Sequence, residues 1–236
     1  MRRYQYDTTK FWTRWLSGSL LVWPLSLVIG GVLFVPIAFT LGSLIPALDG
    51  FGSNMSTREA LFGGVVILII GTAIGFSVGY VQRNIFRSVL YWTADGWTTA
   101  STIGGFAGAV VSGAVMYVAD SPPNDTLSVV LMPVYIGCVG TAQWVTLRVA
   151  TRSAWLWVLA NIVGGLVFSG LMFRNTGMFF LTDGIGPLIM WAASAAAQGA
   201  ITGYVILYLF ERMAYPYDST EMQTDQQGNS VWDNAI

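Results

Sequence analysis

The chain has 236 residues, 54% of them hydrophobic and 10% charged, with a net charge of -1. Soluble domains carry about 25% charged residues, so the composition excludes an ordinary water-soluble enzyme, a nucleic-acid binder and a disordered chain. There is no histidine, one cysteine (Cys138) and one lysine (Lys10), which removes a His-ligated haem or zinc, a Ser-His-Asp triad, an internal disulfide and a mid-span Schiff base.

Charged residues act as fence posts along the rest. Six uncharged stretches separate them: 15–48 (34 residues), 60–82 (23), 96–119 (24), 126–147 (22), 153–173 (21) and 184–210 (27). About 20 apolar residues cross a bilayer as a helix, and lipid leaves backbone groups only internal partners. Period-two alternation is missing, which disfavours a barrel. The expected fold class is therefore all-α: a polytopic membrane protein with six transmembrane helices near 17–45, 61–82, 96–118, 127–148, 154–173 and 186–210. The first holds Pro24, Pro36 and Pro46, and a kink or broken end is expected near Pro36, because proline removes a donor and clashes one turn back. Residues 1–16 form a cytoplasmic N-terminal segment, and the apolar run after them is too long for a cleavable signal.

With the N-terminus inside, Arg2, Arg3, Lys10, Arg14, Arg83, Arg87, Arg148, Arg152 and Arg212 fall on one side and only Arg58 and Arg174 on the other. The nine-to-two bias follows the positive-inside rule and places both termini in the cytoplasm of a cell with this chain in its inner membrane. Trp12, Trp15, Trp92, Trp97, Trp144, Trp155 and Trp157 gather near the same ends and read as headgroup anchors, since indoles favour the interface.

An internal repeat runs through the middle. Gln82, Arg87, Trp97 and Gly104-Gly105 match Gln143, Arg148, Trp157 and Gly164-Gly165; Gly79 matches Gly140, and Ala100 matches Ala160. A partial third copy reads Arg14, Trp23, Gly30-Gly31, and a weaker echo joins Trp191 to Gln198-Gly199. The unit is a helical hairpin, 61–118 and then 127–173. Helix six (186–210) and helix one (17–45) form a split third unit, which would close a pseudo-threefold ring. Small residues mark helix contacts, because they let backbones approach closely in lipid. These are Gly71, Gly75 and Gly79 in helix two, Gly104 and Gly105 in helix three, Gly137 in helix four, Gly164 and Gly165 in helix five, and Ala195, Gly199 and Gly203 in helix six.

Ionisable residues inside a membrane point to function, and Asp95 is the single candidate. It reads as an interfacial partner of Arg87 or an N-cap of helix three, or else as a proton or cation site. Gln82, Arg87, Gln143, Arg148, Trp97 and Trp157 read as interfacial, with the two amides as clamps between helix ends. Asn161 and Gln198 lie deeper and mark a polar spot, used either for an interhelical bond or to line a path. General acid-base groups are missing from the spans, so catalysis is not expected. No cofactor is predicted, while contacts with lipid, quinone or pigment stay open through Gln, Asn or backbone carbonyls. Residues 211–236 form a polar, mildly acidic tail that reads as flexible and cytoplasmic, with Trp232 as an anchor for a partner.

The pattern Gly140-x-x-Gln143-Trp144-x-x-x-Arg148, followed by Trp155-x-Trp157 and Gly164-Gly165, resembles a loose group of multi-pass bacterial membrane proteins of unknown function from cyanobacteria and filamentous phototrophs. It covers residues 74–173. The resemblance implies a place beside a photosynthetic or respiratory complex and carries no activity. Two functional expectations follow. One is a non-catalytic accessory or scaffold subunit that meets membrane lipids and other membrane-protein subunits through an outer helix face and the tail. The other is a small passive channel or transporter, with Asn161 and Gln198 lining its path.

Overall fold

The structure, a computed structural model, describes residues 7–48, 55–90, 96–118, 125–174 and 186–212. Asp95, Trp92 and the tail beyond Arg212 lie outside the described residues. Among the described residues there are six long helices: α1 (Thr8–Leu48), α2 (Met55–Ile85), α3 (Trp97–Val118), α4 (Asp125–Leu147), α5 (Trp155–Arg174) and α6 (Gly186–Arg212). Each contains a stretch long and apolar enough to cross a membrane. No strand occurs among the described residues.

The spans at 96–118, 127–148, 154–173 and 186–210 match their helices to within about two residues. The first two are longer than expected. α1 starts at Thr8, where the Asp7 carboxylate accepts from the Lys10 amide at 2.9 Å, satisfying one donor of the open first turn. Lys10 and Arg14 sit on its exposed face, so charge did not end the helix. α1 also runs unbroken through Pro24, Pro36 and Pro46, which corrects the expected break near Pro36. Each proline forfeits one donor, whereas a break in lipid would strand several backbone groups. α4 shows how such a loss is made good. Pro133 cannot bond the carbonyl four residues back, on Val129, and the Ser169 hydroxyl of α5 donates to that oxygen at 3.1 Å. α2 ends in a π-helical turn, Phe86–Leu90, whose wider pitch carries Phe86 to full burial.

Consecutive helices pack side by side, and α1 also packs against α6. The six therefore close into a ring, with the α1–α6 seam the slightest of its contacts. α1, α3 and α5 all start at the same end, here the tryptophan end; α2, α4 and α6 finish there.

The glycine pairs explain how a ring can be so tight. A Cβ at Gly105 would meet Gly75 Cα of α2 at 2.8 Å, and one at Gly104 would meet Val139 Cα of α4 at 2.7 Å. Gly165 faces Pro133 Cα of α4 at 2.9 Å, and Gly164 faces Gln198 of α6 at 3.0 Å. Adjacent helix positions differ by about 100°, so each pair serves both ring neighbours at once. Gly71 and Gly79 meet α3, Gly137 and Gly140 meet α5, and Gly199 and Gly203 meet α1; Ala195 is buried among them. Gly31 touches nothing within 4 Å and Gly30 touches only the Ala73 methyl, at 3.7 Å. The Gly30-Gly31 pair therefore does not play this part in α1.

Candidate functional site

The buried core gathers at the tryptophan end. Trp15 of α1, Trp97 of α3 and Trp157 of α5 are 2%, 0% and 0% exposed. Ring centroids lie 5.8 Å apart for Trp97–Trp157 and 6.3 Å for Trp15–Trp157. Phe86 sits between Trp15 and Trp97, at 5.8 and 5.0 Å. Phe11 stacks below on Trp15 at 5.4 Å. The three indoles and Phe86 form a floor across the bundle axis. Trp15, Trp97 and Trp157 thus face the axis and not the headgroups, a correction to their expected anchoring role. Indoles suit either place, because each needs apolar contact plus one acceptor. Trp155, by contrast, is exposed, and Arg148 lies over the Trp144 ring at 5.3 Å.

Each buried indole finds its acceptor on the helix before it in the ring. Trp97 donates to Gln82 Oε1 at 3.0 Å, and Trp157 to Gln143 Oε1 at 2.8 Å. Indole is only a donor, so both amides must present oxygen to it. The Gln143 Nε2 then donates to Gln82 Oε1 and to Ser101 Oγ, both at 2.8 Å. Gln143 is fully buried and Gln82 half-buried. The two amides therefore join α2 to α5 from inside the bundle rather than at its interface, as had been expected. Arg87 and Arg148 do lie exposed at that end.

The third indole differs. Trp15 donates to the Gly199 carbonyl of α6 at 2.9 Å. Gly79, Gly140 and Gly199 stand in corresponding places: a Cβ on each would strike Ser101, Asn161 and Ser19, four residues after Trp97, Trp157 and Trp15. Three residues beyond these glycines come Gln82, Gln143 and Thr202. Threonine is too short to take the indole, which turns to the backbone. The register that matches Trp97 and Trp157 is thus Trp15, and not Trp23 with Gly30-Gly31.

Behind the floor lies a cavity of about 80 Å³ on the axis. Both deep polar residues anticipated from sequence line it, Asn161 and Gln198, together with Gln82, Ser19 and Thr202. Asn161 Nδ2 donates to the Trp157 carbonyl at 2.8 Å, which leaves its Oδ1 without a partner among the described residues. Gln82 Nε2 and the Gln198 side-chain amide are in the same position. Trp23 of α1 and Phe168 of α5 both line the cavity and stack at 5.9 Å. Trp23, Ile74, Met132 and Tyr135 separate it from a second, more open and almost wholly apolar vestibule of about 290 Å³ that runs toward the far end. Tyr135 braces this wall by donating its hydroxyl to the Gly71 carbonyl. Phe86, Tyr135 and Phe168 went unnoticed in the sequence because single aromatics in apolar spans carry no pattern. Compared with known proteins, the chain matches no family model, no curated protein and no solved structure.

Proposed function

We propose that the chain is a passive facilitator that carries a small solute along the axis of its helix ring, in a closed state with the tryptophan floor shut. The observation that carries this reading is the axial cavity, where amide groups of Asn161 and Gln198 have no hydrogen-bond partner among the described residues. A bundle built only to pack would fill this space with apolar side chains. The corresponding places of Trp15, Trp97 and Trp157 support three copies of one hairpin, the third split between α6 and α1. Lys10, Arg14, Arg83, Arg87, Arg148, Arg152 and Arg212 belong to the tryptophan end and only Arg58 and Arg174 to the far end. This bias supports a cytoplasmic floor and a vestibule facing outward across the inner membrane.

A second reading, an accessory subunit of a larger complex, is favoured by α1. Its 41 residues reach about 60 Å at 1.5 Å per residue, twice the hydrocarbon thickness. Over residues 31–40 it is exposed on nearly every side, with Val35 and Phe39 at 67% and 83%.

One preparation tests both. The protein is purified in mild detergent and placed in liposomes. The facilitator returns alone and raises the permeability of at least one small solute about tenfold over empty vesicles, and Asn161→Leu with Gln198→Leu removes most of that gain. Co-migrating chains and no flux of any solute would instead support the accessory subunit.

A further inference from the structure

The chemistry of the axial cavity narrows what can occupy it. Among the described residues no charged side chain lines the cavity, so an ion entering it would lose its hydration shell with nothing to replace the charge contact. The unpartnered groups are mixed in kind. Gln82 offers an NH2, because Trp97 and Gln143 both hold its oxygen. Asn161 offers a carbonyl oxygen and one N–H, its other N–H being held by the Trp157 carbonyl. Gln198, against Gly164, offers both. The Ser19, Thr202 and Tyr135 hydroxyls in the lining are donated to backbone carbonyls, and the rest is apolar, with Val78, Ile136 and Val139 among it. At about 30 Å³ per water in the liquid, a space of about 80 Å³ takes a molecule of a few heavy atoms.

Resting on the facilitator reading, we infer that the cavity takes a small uncharged solute bearing a hydrogen-bond donor and an acceptor side by side, of the urea and small carboxamide kind. Such a molecule donates N–H groups to Asn161 Oδ1, and its carbonyl accepts from the Gln82 or Gln198 NH2. The apolar walls accept its flat faces. Water alone would satisfy the same groups, and it is distinguished by the test.

The full-length protein is studied in two arms. In liposomes, light scattering follows osmotic re-swelling with urea, acetamide, potassium formate or no permeant added. In detergent, saturation-transfer NMR reads urea contact with the protein directly. Gln198→Met keeps length and volume while removing both polar groups, and Asn161→Leu does the same for the acceptor; unchanged tryptophan emission shows that each variant is folded. The expected result is urea and acetamide flux at least about tenfold above empty vesicles, formate flux at background, and a severalfold loss of both urea flux and NMR contact in either variant. Urea contact without flux in any solute keeps the solute class and overturns the facilitator. Flux of formate, or of water only, overturns the solute class and keeps the facilitator. Urea flux and contact that persist undiminished in both folded variants overturn the cavity assignment.

Discussion

The Gln143 carboxamide uses three of its hydrogen-bonding sites on three different helices: the Trp157 indole, Gln82 and Ser101. In lipid, interhelical hydrogen bonds average about 0.6 kcal/mol and reach about 1.7. Gln143→Leu removes all three and leaves the Trp157 N–H buried without an acceptor. The variant should lose about 1–3 kcal/mol of stability, read as a lower midpoint in SDS titration of the detergent-solubilised protein. Thr141→Val, two residues earlier on an exposed face, should stay within about 0.5 kcal/mol. Equal losses in both would mean that the amide network is not what holds the floor. Sequence showed that Gln82 and Gln143 were equivalent, because spacing from arginine and tryptophan is visible in one dimension. It did not show that they touch each other, because that contact depends on how α2 and α4 meet inside the ring.

Helix existence was legible because lipid filters by length and apolarity, and both can be counted between charges. Helix ends were less so. α1 gained a turn and a half beyond Arg14 through the Asp7 cap and an exposed cationic face, which no fence-post rule registers. The expected partial copy at Trp23 and Gly30-Gly31 shows a related limit of spacing: Trp23 stands seven before Gly30-Gly31, as Trp97 does before Gly104-Gly105, yet it is Trp15, eight residues earlier, that donates to the neighbouring helix as Trp97 and Trp157 do. Glycine position within an element therefore predicts energetics better than motif membership. A methyl on Gly75 would strike the Ser101 carbonyl and lie 2.8 Å from Gly105 Cα, both of them backbone. Gly75→Ala must push α2 away from α3, and overpacking of this kind costs about 1–3 kcal/mol. Gly31→Ala meets nothing within 4 Å and should be neutral or stabilising by up to about 1 kcal/mol, since alanine favours the helix. Thermal denaturation of the two variants side by side checks the contrast, and a reversed order would contradict the packing described for α2 and α3.

Ring closure is the property that turns six spanning helices into an object with an interior. Every other seam joins neighbours in sequence, whereas α1 and α6 are brought together only by the whole fold. The contact rests on Trp15, Trp12 and Ser19 against Gly203 and Gly199, and the bond that anchors Trp15 is to backbone rather than to an amide side chain. A Cβ on Gly199 would lie 3.1 Å from Ser19 Cβ, against the 3.5–4.5 Å usual in a disulfide, so a small outward shift of α1 is enough to bridge them. Ser19→Cys with Gly199→Cys, in a Cys138→Ala background that removes the one native thiol, should form an intramolecular disulfide under mild oxidant. Peptide mass mapping would recover the α1 and α6 fragments linked, in monomeric protein. A bridge found only between two copies would mean that α6 of one chain completes the ring of another, and the interior would then belong to a dimer. Failure to form any bridge would open the ring and remove the cavity with it, because Ser19, Gln198, Gly199 and Thr202 line that space only while α1 and α6 stay in contact.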